Sequence, residues 1–513
     1  MSFQTPNSEI LLRHLPAVGT RIDIRAAAAD AATLPDSVEC LVVAIMDGED
    51  GLELVVPHVV GEYAKPLLEA LEAVDANASL ETTTRIPAPS GLGVQSVIAV
   101  GLGNTDPDAE IIRRASGAAG RAAKGATSIA TALGDIDAQA AAEGFALGAY
   151  SYSGLKSLKE ASESESNETD SSKDCTLHVI GATDAEIQRS TAIVDAVCTA
   201  RDLVNAPSSH LYPEVFANIA TDLGEAAGLT VTTLDDVALE KQGFGGLTAV
   251  GGGSARGPRL VRMEWAGKGE SDAKMALVGK GVTFDTGGIS LKPGASMENM
   301  ISDMGGAAAV IATVVLAAKL ETAVPVVATI PMAENMPDGK SYRPGDVVTQ
   351  YGGKTIEILN TDAEGRLILA DALVRACEDQ PTHLIDTATL TGAQLVALGG
   401  RTPGVLGTDE FRDRVAELSR EIGENGWAMP MPEELTEGLK SPVADLRNVT
   451  TSREGGMSVA AAYLREFVAD DVQWAHIDVA GPAFNTNGAW GYTPKRGTGV
   501  PVRTMLAVIE NLE

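Results

Sequence analysis

Apolar positions fall into two textures that alternate along the chain. Short unbroken runs have the length and bounding turn residues of buried strands: CLVVAIMDG (Cys40–Gly48), SVIAVGLG (Ser96–Gly103), TLHVIGA (Thr176–Ala182), MALVGKGVTF (Met275–Phe284), AVPVVATI (Ala323–Ile330), HLIDTATL (His383–Leu390) and WAHIDVAG (Trp474–Gly481). Between them lie longer stretches of helical character: Ile111–Lys124, Ile136–Tyr150, Asp184–Val204, Gly305–Glu321, Arg366–Asp379, Glu410–Glu424, Ser458–Phe467 and one from about Thr504. Strands alternating with helices predict an α/β protein whose mostly parallel central sheet is flanked by helices. The pattern divides into a smaller N-terminal α/β domain over 1–183 and a larger C-terminal domain over 184–513, linked through a helix at 184–204. Inside the first, Leu158–Asp174 is rich in Ser and acid with almost nothing to bury, and reads as a surface loop.

Composition narrows the class. The 513 residues are 44% hydrophobic, but only 4% aromatic with 54 glycines, so packing must rest on Ala, Val, Leu and Ile. A net charge of −31 argues against nucleic acid and anionic membrane as partners. Cys40, Cys175, Cys198 and Cys377 are far apart with no CxxC pair, which points to a reducing compartment rather than a disulfide framework. The N-terminus has no basic start followed by an apolar run, as a signal peptide would. The most apolar helical segment, Ala307–Leu320, falls short of the roughly 20 residues that cross a bilayer. The chain therefore reads as soluble and cytoplasmic, with no membrane partner.

In parallel sheets the chemistry gathers where strands end and loops begin. Two such loops stand out: Gly279–Ala308, with Lys280, Asp285, Lys292 and Asp303, and Asn360–Leu367, with Asp362, Glu364 and Arg366. In extended backbone the spacing of the last three would put them on one side. Four converging carboxylates repel unless cations sit among them, and a two-metal site supplies those cations. Oxygen ligands alone do not choose between Mg, Mn and Zn. Each residue also has a plainer reading: solvated turn acids, surface lysines, and for Asp303 an N-cap before the apolar helix. His476, in an apolar strand, reads as a hydrogen-bonded core histidine. No HExxH, GxSxG or phosphate-binding glycine loop occurs.

At these loops the sequence resembles the leucyl aminopeptidase (cytosol aminopeptidase, M17) family. NTDAEGRL (Asn360–Leu367) matches the family's signature octapeptide, VGKGVTFDTGGISLKP (Val278–Pro293) is a second match, and weaker ones run from RDLVNAPSSHLYP (Arg201–Pro213) through WAHIDVAG. The resemblance implies a metal-dependent exopeptidase that releases N-terminal residues, leucine and other apolar ones preferred, from short peptides by two-metal activation of a bridging water. It implies two divalent ions, Mn or Zn: one on Asp285, Asp362 and Glu364, the other on Lys280, Asp285, Asp303 and Glu364. Lys292 would stabilise the oxyanion, and Arg366 would hold a bicarbonate ion serving as general base. Met300, Thr389, Gly392, Ala480 and Ala483 would line the pocket for the first side chain, and the assembly would be a homo-hexamer. Ile301 stands where relatives often carry a basic residue, and Ala483 is smaller than the methionine of some members. A DNA-binding architectural role and a two-metal phosphoesterase are the competing classes. The acidic charge speaks against the first, and an amine ligand beside the matched signature against the second.

Overall fold

The computed structural model describes residues 4–28, 34–35, 37–49, 51–104, 106–156 and 175–513; the expected loop at 158–174 lies outside them. The chain divides into two compact units, the first built mainly from residues 17–198 and the second from 199–486 and 496–513.

The first unit carries a seven-stranded sheet in the order β1-β7-β6-β2-β5-β4, with β3 beside β2. Its strands are β1 (Asp23–Ala27), β2 (Cys40–Gly48), β3 (Gly51–Leu54), β4 (Thr83–Pro87), β5 (Ser96–Gly101), β6 (Ser128–Thr131) and β7 (Thr176–Ile180). The central pairs are parallel; β3 and β4 add antiparallel edges. Helices α1 (Ala109–Ala122) and α2 (Ala138–Ala149) start at Asp108 and Asp137, whose carboxylates accept from backbone N–H groups of the first turn. At Gly144 and Gly148 of α2 an added Cβ would lie about 2.1 Å from the backbone of α1, so glycine is what lets the two helices approach.

The second unit is organised on a nine-stranded mixed sheet. Its core comprises β8 (Thr230–Leu234), β9 (Arg259–Trp265), β10 (Met275–Gly279), β11 (Gly281–Asp285) and β12 (Val326–Asn335). A small sheet of β13 (Val347–Thr349), β14 (Thr355–Glu357) and, later, Leu446–Arg447 lies apart from it. The main sheet continues with β15 (His383–Ala388), β16 (Gly404–Gly407), β17 (Trp427–Ala428) and a strand we label β18 (Gln473–Asp478). β12, β10, β15 and β18 are neighbours and mutually parallel, so their carboxyl ends share one edge. Three helices matter below: α3 (Gly305–Lys319), α4 (Glu364–Cys377) and α5 (Gly392–Leu398), with α6 (Val502–Asn511) closing the unit.

Nearly every residue of α3 is buried, which Ala, Gly and Val permit because their small side chains let a helix lie close against strands. With the turn before it, Met297–Lys319 is long and apolar enough by composition to cross a membrane, longer than the sequence pattern suggested, yet it is packed inside the unit.

Three local expectations are corrected. Met275–Phe284 is not one strand: it breaks at Lys280 into β10 and β11, which pair with successive parts of β12. Glu364 is not extended but opens α4, which begins two residues before the expected helix start at Arg366. Asp303 is not an N-cap: α3 starts after Met304 with no side-chain cap, and the Asp303 carboxylate is engaged elsewhere.

Candidate active site

Lys280 occupies the break between β10 and β11, pinned by its backbone. Its N–H donates to Thr387 O at 3.1 Å and its carbonyl accepts from Ala307 N at 2.8 Å. The flanking glycines are steric necessities: a Cβ at Gly279 would lie 2.7 Å from the start of α3, and one at Gly281 2.6 Å from Pro331 O. The buried ammonium donates to Asp303 Oδ1 at 2.8 Å and Thr389 O at 3.0 Å, and stands 2.8 Å from Glu364 Oε1. Burial alone would lower its pKa, but Asp303, Glu364 and Asp285 outweigh burial and hold it well above the ordinary lysine value.

Asp285 ends β11. Its Oδ1 accepts from Gly287 N and from Asn335 Nδ2, both at 2.8 Å, while Oδ2 faces Lys292 Nζ at 2.8 Å. Lys292 reaches across to Asp362 Oδ1 at 2.5 Å, so one ammonium joins carboxylates of both loops. Burial would lower the Lys292 pKa, yet Asp285 and Glu364 raise it. Glu364 opens α4, where the unpaired N–H groups of a helix terminus favour a carboxylate. Although burial pushes its pKa up, Lys280 and Lys292 outweigh burial and hold it below the ordinary glutamate value.

Asp285, Asp303 and Glu364 each offer one oxygen, all within 4.8 Å of one another. Burial, together with the neighbouring carboxylates, raises the pKa of Asp285 to about 6 and of Asp303 to about 8. Four carboxylates share two lysines, so the protein's own charges leave the cluster short of positive charge. Asp303 Oδ2 and Glu364 Oε2 are buried with no hydrogen-bond partner. Orphaned carboxylate oxygens in an under-neutralised cluster are what divalent cations satisfy, and these residues fit such ions.

Arg366, two residues on, is buried and hydrogen-bonds away from those carboxylates. Its Nη1 donates to Asn448 O at 2.8 Å, and its Nε has no partner. Burial lowers its pKa. Thr389, expected only as a pocket wall, donates from Oγ1 to Asp303 Oδ1 at 2.8 Å and lends its carbonyl to Lys280. Ala483 and Thr389 flank Gly305, at 3.1 and 3.6 Å from where a Cβ on that glycine would sit. Met300 joins the site through its carbonyl, which accepts from Asp303 N. Gly392 opens α5 after β15, and Ala480 follows β18, at the same sheet edge; the space beside the Gly392 Cα is open. The sequence reading missed Asn335, Tyr342 and Thr361. Tyr342 Oη donates to Thr361 O at 2.7 Å, and Thr361 Oγ1 donates to Gly287 O at 2.6 Å. The one available signal was that Asn335 stands at the carboxyl end of a parallel strand. His476 is a core histidine as expected, with Nδ1 2.5 Å from Asp386 Oδ1.

Comparison with known proteins gives the family. Residues 198–506 match the catalytic domain of the cytosol aminopeptidase family, and residues 42–159 match its N-terminal domain. A protein named probable cytosol aminopeptidase of Rhodococcus erythropolis is 59% identical over 94% of this chain and 96% of its own, and one of the same name from Corynebacterium glutamicum is 55% identical over 93% and 95%. Among solved structures, the bottromycin maturation enzyme BotP in complex with Mn superposes with a TM-score of 0.81 at 35% identity, covering 93% of this chain and 99% of that one. A tomato leucine aminopeptidase variant gives 0.82 at 30% identity, covering 96% and 97%. The chain belongs to the cytosol aminopeptidase family, and its activity is that of a metal-dependent aminopeptidase that acts on peptides in the cytosol.

Proposed function

We propose that the carboxylate cluster holds two divalent ions, manganese or zinc, for removing leucine and other apolar N-terminal residues from short peptides. One ion would rest on Asp285, Asp362 and Glu364 with the Asp362 carbonyl, the other on Lys280, Asp285, Asp303 and Glu364. Bound there, the ions would acidify a water between them and polarise the scissile carbonyl. The observation that carries the reading is the pair of buried, unpartnered oxygens, Asp303 Oδ2 and Glu364 Oε2, beside two lysines too few to neutralise the cluster.

The chain's own groups divide the remaining work. Lys280 can act as a ligand only after giving up its proton, which an adjacent dication favours. Lys292 keeps its proton and, from its place between Asp285 and Asp362, donates to the carbonyl oxygen as negative charge builds there. Arg366, with a free Nε, would hold a planar bicarbonate ion, which supplies a general base. The first side chain of the substrate would lie against Met300, Thr389, Gly392, Ala480 and Ala483, with small Ala483 leaving room for larger groups. We assign this catalysis to residues 184–513, keep 1–183 as a separate α/β domain, and expect a homo-hexamer.

The test is Leu-p-nitroanilide hydrolysis by chelator-treated protein with and without added manganese, wild type beside Glu364→Ala. Turnover that returns with manganese in the wild type and stays lost by at least about 100-fold in the variant supports the reading. Equal turnover in both would refute it.

A further inference from the structure

β12 ends at Asn335, whose side chain is buried between the two chemistry-bearing loops. Its amide nitrogen donates to Asp285 Oδ1 at 2.8 Å and to Thr361 O at 3.0 Å. Both partners only accept, so the amide can face no other way. Its backbone carbonyl accepts from Thr286 N at 3.0 Å and Thr286 Oγ1 at 2.7 Å. Asn335 thus grips the loop leaving β11 with its main chain and the loop before α4 with its side chain. The cost shows at the other end: Asn335 Oδ1 is buried with no partner, under Gly288, where a Cβ would lie 2.8 Å from that oxygen. A residue kept for packing would not leave an acceptor orphaned, whereas one kept for its two donors would.

Other bonds stitch the same loops. Ser290 N donates to Thr361 Oγ1 at 2.8 Å, Thr361 N to Ser290 Oγ at 3.1 Å, and Tyr342 Oη to Thr361 O. Asn335 is the stitch that also holds a candidate ligand's carboxylate. By occupying Asp285 Oδ1 together with Gly287 N, it fixes the rotation of that carboxylate and leaves Oδ2 toward Lys292.

We propose that Asn335 is a positioning residue that sets the spacing and orientation of Asp285 relative to the Asp362 loop, and through them the site's affinity for divalent metal. This rests on the dinuclear reading above. Truncation to alanine leaves no new orphan: Thr361 O keeps Tyr342, Asp285 Oδ1 keeps Gly287 N, and the unpartnered Oδ1 is gone. The metal-free fold should therefore hold while metal binding weakens.

The experiment titrates manganese into the chelator-treated full chain by calorimetry, and records melting temperature with and without manganese. Asn335→Ala should weaken manganese binding roughly 10–100-fold. It should shrink the metal-dependent rise in melting temperature and leave the metal-free value in place. Should that variant not fold, Asn335→Ser serves, since its hydroxyl can reach one acceptor at most, and it should weaken binding in the same direction. Wild-type affinity in a folded variant overturns the proposal. So does a melting temperature lowered equally with and without metal at unchanged affinity. A wild type that binds no manganese would remove the dinuclear reading itself; a wild type that binds it beside an unaffected variant removes only the role of Asn335.

Discussion

Gly365 lies between Glu364 and Arg366 in the first turn of α4, and Gly365→Ala is the mildest substitution that should disable the site. The added methyl would sit 2.7 Å from Lys280 Cε, 2.8 Å from Nζ and 2.9 Å from Cδ. Ordinary contact needs about 3.5–4.0 Å, so the lysine or the helix must give way by about 1 Å. The lysine has no slack, because Asp303, Glu364 and Thr389 all hold Nζ at 2.8–3.0 Å. Such a shift carries those bonds past the range in which they count as hydrogen bonds. For the helix the change is favourable by about 1 kcal/mol, since alanine propagates a helix better than glycine. Overpacking costs about 1–3 kcal/mol, leaving a net loss of about 0–2 kcal/mol. Misplacing a reacting group by about 1 Å costs on the order of 100-fold in rate. The expected result is thus a folded protein, melting within a few degrees of wild type, whose kcat/KM on Leu-p-nitroanilide falls by about 100-fold or more. Gly339→Ala, where an added Cβ meets nothing within 4 Å, is the matched control. Wild-type kcat/KM and manganese affinity in Gly365→Ala would refute the claim that Lys280 is held to this tolerance.

Two further outcomes follow from the same charges. Lys292→Ala takes away the cation shared by Asp285 and Asp362, so the chelator-treated variant should melt below wild type and gain more than wild type does on adding manganese, which scanning fluorimetry reads directly. Its turnover should stay at least about 100-fold down in the metal-loaded state, as for loss of one oxyanion donor. Asp371, further along α4, offers a pH signature: burial, only partly offset by the N–H groups of Leu247 and Tyr351, raises its pKa from 3.8 to about 7. Between those values the folded chain keeps a proton that the unfolded chain has lost. Its contribution to stability is therefore full below about pH 4, declines as pH rises, and is gone above about 7. Denaturant titrations across that window should show a downward slope in wild type that flattens in Asp371→Asn; an identical slope in both would assign it elsewhere.

How much of this was legible beforehand depends on how far apart in sequence the partners lie. Runs such as Cys40–Gly48 and His383–Leu390 announce buried strands locally, and the parallel sheet follows from their alternation with helices. The break at Lys280 was not readable, because the backbone bonds that pin it go to the start of α3 and to a strand end beyond position 380. Asp303 before an apolar helix has the local pattern of a cap, and only the fold shows Thr389 and Lys280 taking its oxygen instead. Glu364 read as extended because the helical pattern is clear only from Arg366 on. Asn335 was passed over for a different reason: a place at a strand's carboxyl end is shared by many residues, and its two acceptors are 50 and 26 residues distant.

The buried helix α3 has a consequence for how the molecule is made. Made almost wholly of Ala, Gly, Val, Leu and Ile, it leaves the ribosome long before α6, one of the elements that cover it, has been synthesised. Until β12, β15 and α6 arrive, the nascent chain presents a segment that a membrane-insertion machinery could mistake for a span. Chains that stall or are cut before Val502 would keep that face uncovered, and should be taken up by chaperones or aggregate rather than persist as a free catalytic unit.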